Sequence, residues 1–113
     1  MKIWFDALTP KQLLLFHSLK NEFKKQGVDV WLTSRDYEQV LPLIQLLNAD
    51  AEVVGEFGGG SLRGKLQASI LRSKKLLKSV SREKPDAAIS GGSPEAARIA
   101  YGLAFPHFCI SDS

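Results

Sequence analysis

Apolar residues along this chain recur with two alternating periods, and the alternation lays out its elements. Ile3, Trp4 and Phe5 form a short apolar run between Lys2 and Asp6, the pattern of a parallel strand covered on both faces. From Thr9 the spacing becomes helical. Leu13, Phe16, Leu19 and Phe23 define a buried stripe, widened by Leu15, while Lys20 and Lys24 fall on the side facing water. Thr9 supplies a cap, Pro10 suits the first helical position, Gln12 stands where a capping box needs it, and Gly27 closes the helix.

The two periods then repeat. Val28 to Thr33 is a second strand, rich in β-branched and aromatic residues and bracketed by Gly27 and by Ser34, Arg35 and Asp36. Tyr37 to Leu47 carries Val40, Leu43, Ile44 and Leu47 at helical spacing, with Pro42 either kinking the helix or opening its regular part. Ala51 to Val54 reads as a third strand, and Gly55 to Gly60 as a glycine-rich loop. A long helix from Leu62 to about Lys84 leads to a fourth strand, Asp86 to Ile89. The loop Ser90 to Ser93, a helix from Pro94 to Ala104 and a fifth strand, His107 to Ile110, complete the pattern.

Strand and helix in alternation, joined by right-handed crossovers, predict an α/β, doubly wound, Rossmann-like parallel sheet of five strands in the order 3-2-1-4-5. The order reverses between strands 1 and 4, so the loops Asp6 to Pro10 and Ser90 to Pro94 flank the expected ligand crevice. Both loops end in a hydroxyl residue followed by proline, Thr9-Pro10 and Ser93-Pro94. Each opens a helix whose positive end faces the crevice, which suits an anion or a polyhydroxyl ligand; ordinary capping explains the same residues. The chain ends on Ser111, Asp112 and Ser113, residue types that cap a following helix. A final helix is missing from this layout, and a sheet ending on its fifth strand leaves one face partly uncovered. The expectation is a piece of a larger protein, or an obligate binder of a partner or of a second copy.

Composition narrows the class. With 113 residues, 44% of them hydrophobic and 24% charged, the chain is one domain able to bury about two-thirds of its unfolded surface. No apolar run approaches the roughly 20 residues of a membrane span, and Lys2 and Asp6 interrupt the start where a secretory signal needs an apolar core, so a cytoplasmic address is the default. The lone Cys109 fits a reducing compartment, and beside Ile110 it reads as a core residue. Charge is uneven: Arg63 to Lys84 holds eight basic residues against Glu83, while the remainder holds seven basic and eleven acidic ones. On a helical projection Leu62, Leu66, Ile70, Leu76, Leu77 and Val80 share one side, expected to pack on the sheet, and nearly all the basic residues share the other. That basic side is either a solvated face or one attracted to an anionic membrane surface or a nucleic acid; the segment lacks aromatic residues for base stacking, which favours the membrane.

Three familiar chemistries fit poorly. The run Gly59-Gly60-Ser61-Leu62-Arg63-Gly64-Lys65 matches G-x-x-x-x-G-K, but Leu66 stands where Ser or Thr should bind magnesium, and the loop follows strand 3 rather than the first strand. As a loop folding over the crevice it would bring Ser61 and Arg63 to a ligand. The first turn, Asp6-Ala7-Leu8-Thr9-Pro10, has no glycine for a dinucleotide fingerprint, and of a phosphoacceptor's acids only Asp6 is suitably placed. Ser90 and Ser93 lack a nucleophile elbow, and His17 and His107 have no acidic or cysteine set for a metal, so both histidines read as structural. Asp6, ending the first strand at the crevice, could accept a proton or bind a sugar hydroxyl; alternatively it caps its own turn.

The runs KIWFDALTPKQLLLF, VDVWLTSRD, GEFGGGSLRGKL and PDAAISGGSPEAARIA resemble an uncharacterised prokaryotic family, domain of unknown function 354, whose members look like two-domain GT-B glycosyltransferases and nucleotide-sugar 2-epimerases. The resemblance spans the whole chain, but only as the N-terminal half of such a protein. It implies an acceptor-side domain, inactive alone, whose C-terminal partner domain binds most of a nucleotide sugar, with no further cofactor. It also implies that Asp6 is catalytic and that Thr9, Lys11, Gln12, Gly59, Gly60, Ser61, Arg63, Gly91, Gly92, Ser93 and Glu95 lie near the ligand. Many relatives place a histidine near the start of the first helix, where this chain has Lys11 and Gln12. The competing expectation is a non-catalytic module that uses its basic helix on an anionic surface.

Overall fold

A computed structural model describes residues 1–110. Five parallel strands, β1 (Lys2–Ala7), β2 (Asp29–Asp36), β3 (Glu52–Glu56), β4 (Ala87–Ser90) and β5 (His107–Cys109), alternate with four helices, α1 (Pro10–Lys25), α2 (Val40–Leu47), α3 (Leu62–Glu83) and α4 (Pro94–Leu103). The sheet order is β3-β2-β1-β4-β5, as the alternation of periods predicts. The expected cap of a further helix at Ser111 to Ser113 lies outside the described residues.

The sheet is covered on both faces, which is why β1 is apolar without alternation. On one face Ile3, Phe5, Ala7, Val30 and Leu32 meet Leu13 and Phe16 of α1 and Val40 of α2, with Phe5 and Phe16 ring centroids 5.1 Å apart. On the other, Trp4 stacks on Trp31 at 5.4 Å and packs with Leu76 and Val80 of α3 and Ala96 and Ile99 of α4.

Several sequence expectations shift. Ser34, Arg35 and Asp36 extend β2 rather than bracket it, and β3 runs on through Gly55 and Glu56, residues expected in a loop. A register irregularity between β2 and β3 lies at this end. The second helix starts at Val40 instead of Tyr37, because Glu38 adopts a positive φ of 48°. Pro42 then occupies the first turn, where its missing N–H is not needed. Leu15 does not widen the buried stripe of α1 but is exposed, and Lys20 is drawn inward to bond the Asp50 carbonyl at 2.9 Å. Cys109 is exposed rather than core, since nothing among the described residues covers β5 on its outer edge.

The largest correction concerns α3. Leu76 and Val80 are buried as expected, but Leu62, Leu66, Ile70 and Leu77 are exposed, and Arg72, assigned to the water-facing side, is 1% exposed. The buried face of α3 is turned by roughly a quarter turn from its most apolar face. Burying a guanidinium requires partners of opposite charge, and those partners define the site.

Candidate functional site

At the carboxyl end of the sheet Asp6 is the penultimate residue of β1, which runs one residue further than expected, and is paired in register with Thr33 of β2 and Ser90 of β4. Its carboxylate is fully buried. Arg72 reaches up from α3 and donates from Nη2 to Asp6 Oδ1 at 2.6 Å and from Nη1 to Oδ2 at 2.8 Å, a bidentate pair. The same guanidinium donates to Glu95 Oε1 of α4 at 3.1 Å and, through Nε, to the Val54 carbonyl of β3 at 2.8 Å. Thr33 donates to Asp6 Oδ1 at 2.7 Å and accepts from Trp4 Nε1 at 2.8 Å; Ser93 donates to Oδ2 at 2.5 Å. Ser69 donates to Glu95 Oε2 at 3.1 Å.

Burial by itself would push the Asp6 pKa up. The hydrogen bonds and charge of Arg72, with Ser93 and Thr33, outweigh it and hold the carboxyl below its ordinary 3.8. For Arg72 burial pulls the pKa down, and Asp6 and Glu95 more than compensate, leaving it raised. The Asp6–Arg72 pair is thus ionised at neutral pH.

Gly55 makes room for it. Its φ is +80°, and a Cβ there would stand 2.7 Å from Cγ and 2.9 Å from Cβ of Arg72. Beside the network opens a cavity of about 170 Å³ lined by Arg35, Glu56, Phe57, Lys65, Ser69, Pro94 and Glu95. Arg35 lies over the rings of Phe57 (5.0 Å) and Tyr37 (5.1 Å) and donates to the Leu8 carbonyl at 3.2 Å; Lys65 lies 5.4 Å from the Phe57 centroid. Burial, then repulsion from Arg72, lowers the Arg35 pKa. Two cations held against an aromatic wall, next to the Glu95 carboxylate, can orient an anionic or polyhydroxyl ligand.

The two crevice loops are sewn together by Gln12. Its Oε1 accepts from Leu8 N at 2.9 Å, and its Nε2 donates to the Gly91 carbonyl at 3.1 Å. The expected capping box is therefore displaced by one residue: Thr9 accepts from Gln12 N at 3.2 Å, but Gln12 answers Leu8 rather than Thr9. Ser93 caps α4 by accepting from Ala96 N at 3.1 Å. Its backbone N–H bonds Ser90 Oγ at 3.1 Å, and that hydroxyl lies 2.7 Å from His107 Nε2. The Ser90–His107 bond runs in either direction according to which ring nitrogen carries the proton; burial lowers the His107 pKa, partly opposed by Asp6.

The structure thus divides the residues singled out from sequence. Asp6, Ser93 and Glu95 join one network. Lys11, Gln12 and Gly91 line a second cavity of about 180 Å³ with Leu15, Phe16 and Ile110, and Thr9 caps the helix behind it. Gly59, Gly60 and Arg63 are exposed near the β3–α3 turn, Ser61 caps α3 by accepting from Gly64 N at 3.0 Å, and Gly92 is an exposed turn residue with φ 94°. Sequence reasoning missed Arg72, Arg35, Thr33, Phe57, Lys65 and Ser69 as site residues. One signal pointed to Arg72: an aspartate ending a strand covered on both faces must find a cation.

The architecture is a Rossmann-like parallel α/β fold, and solved glycosyltransferases and UDP-GlcNAc 2-epimerases share it over part of their length. The UDP-GlcNAc 2-epimerase from Neisseria meningitidis, solved with UDP-GlcNAc bound, matches 97% of this chain over 32% of its own at a TM-score of 0.74 and 14% identity. The Streptomyces sp. SF2575 glycosyltransferase SsfS6 matches 95% of the chain over 38% of its own, at a TM-score of 0.73 and 14% identity. At such identities the likeness is one of fold. The chain belongs to the family described as Protein of unknown function (DUF354), whose model matches residues 1–113. An uncharacterized protein of Methanocaldococcus jannaschii is 29% identical across all of this chain and 33% of its own length. The chain spans about a third of the length of these relatives.

Proposed function

We propose that the chain is the acceptor-side N-terminal domain of a glycosyltransferase-like or nucleotide-sugar enzyme and is inactive without a C-terminal partner domain. The observation that carries this reading is the cleft at the carboxyl end of the sheet, where Arg35, Lys65, Phe57 and Glu95 stand over the buried Asp6–Arg72 pair. A sugar acceptor offers hydroxyls to Glu95 and Ser69, and any carboxylate or phosphate it carries would meet Arg35 and Lys65. The fully buried Asp6 has both oxygens engaged, so its role in this reading is that of a positioning residue, fixing Arg72, Ser93 and through them Glu95. The departing diphosphate would be stabilised by fixed dipoles and cations contributed by both domains. Thr9, Lys11, Gln12 and Gly91, beside the second cavity, would face the donor side.

The test pairs this chain with the C-terminal remainder of the Methanocaldococcus relative and assays release of nucleoside diphosphate, or epimerisation, across a panel of nucleotide sugars. Turnover should require both pieces, and Arg35→Ala with Lys65→Ala should raise the acceptor KM. Turnover by the chain alone, or none by the pair with any donor, would count against the reading.

A further inference from the structure

Helices α3 and α4 leave a shallow groove of about 550 Å³ on the outer surface, lined by Ile70, Ser73, Lys74, Leu77, Arg98 and Leu103. Its apolar floor continues along α3 to Leu66 and Leu62, the latter 85% exposed, and Tyr101 of α4 is 90% exposed nearby in sequence. This strip is the apolar side of α3 that the burial of Arg72 turned away from the sheet. Cations frame it: Arg63, Lys74 and Lys78 along α3, Arg98 on α4, none of them in an ion pair among the described residues. Between Leu62 and Arg82 there is no acidic residue, and the one acid of α4, Glu95, is buried against Arg72.

We infer that this α3–α4 face docks the chain on the surface of an anionic phospholipid bilayer, an interaction separate from the crevice chemistry. A groove with an aliphatic floor and a rim of one sign asks for a partner that is apolar at depth and negative at its surface. The headgroup and acyl boundary of an anionic bilayer is both. A second copy meeting the same face about a two-fold axis would set like charges opposite one another. A nucleic acid would meet the cations but leave the aliphatic floor without a stacking partner. The long stems of Lys74, Lys78 and Arg98 can lie along the floor while their charged ends reach the phosphates.

Cosedimentation of the chain with vesicles of phosphatidylglycerol and phosphatidylcholine, against vesicles of phosphatidylcholine alone, tests this. Binding should require the anionic lipid and weaken between about 0.05 M and about 0.5 M salt, as screening shortens the reach of the rim charges. The triple variant Lys74→Glu, Lys78→Glu, Arg98→Glu should lose about a hundredfold in affinity. Ile70→Ser with Leu77→Ser, both exposed and verified as folded by circular dichroism, should lose about tenfold. Unchanged vesicle binding by either variant overturns the inference. So does retention of a single-stranded RNA oligonucleotide in place of vesicles, or a concentration-dependent dimer that the Ile70→Ser, Leu77→Ser variant dissolves.

Discussion

Arg72 links β1, β3 and α4 through a single guanidinium, and its consequences can be measured one residue at a time. Removing one partner of a buried pair strands the other charge, so Arg72→Met should destabilise the chain by about 3–5 kcal/mol in urea melts. Arg72→Met with Asp6→Asn should cost less than the sum of the two single changes, because Asp6 then leaves no bare charge, while Glu95 still loses its Arg72 partner. Gly55→Ala should cost on the order of 2 kcal/mol, from its left-handed backbone and from the Arg72 stem it would strike. The pH dependence has a definite sign. Asp6 titrates below 3.8 when folded, so the unfolded chain takes up its proton first; the stabilisation is complete above pH 3.8 and is lost as pH falls from there through the folded value. His107 behaves in the same sense from 6.5 downward, since its folded pKa is lowered. His107→Gln should therefore flatten the stability curve just below pH 6.5 and leave the acid limb of Asp6 in place.

At the scale of elements, helix starts were legible because local chemistry sets them. Thr9-Pro10 and Ser93-Pro94 each cap the helix that their sequence announces. The structure adds Ser61 as the cap of α3, whereas α2, with no side-chain cap bond, starts later than its periodicity suggests. The two announced caps differ in worth: Thr9→Ala should cost about 1 kcal/mol, the value of an ordinary cap, whereas Ser93→Ala also deprives Asp6 of a buried donor and should cost about twice that. Strand ends were less legible. Ser34, Arg35 and Asp36 look like turn residues, but Ser34 is satisfied by the Ala7 carbonyl at 2.7 Å and Arg35 by that of Leu8, bonds that exist only once β1 lies alongside. The rotation of α3 was hidden for a related reason. Periodicity locates the most apolar face of a helix, and here an ion pair to a residue 66 positions away sets the buried one instead.

Across the whole molecule the two sheet faces differ in what holds them. The α1–α2 face is an aliphatic and aromatic core around Phe5, Leu13 and Phe16, whereas the α3–α4 face adds the Asp6–Arg72–Glu95 network to its tryptophan pair. Hydrogen exchange should register the difference. Arg72→Met should speed exchange together in β1, β3 and α4, the elements its bonds join, while leaving the middle of α1 comparatively protected. If protection fell uniformly, the network would be one part of a single cooperative core and not a local tie. The sequence by itself determined the number, type and order of the elements, the sheet order and the ends where the loops gather, because hydrophobic period, caps and right-handed crossovers act locally or by general rule. Only the tertiary structure decided which charges meet inside: that Asp6 is locked by Arg72, that Glu95 turns inward, and that the apolar strip of α3 stays on the surface. Those outcomes depend on which distant groups can neutralise a buried charge, and that is fixed by the packing of β1, α3 and α4 together.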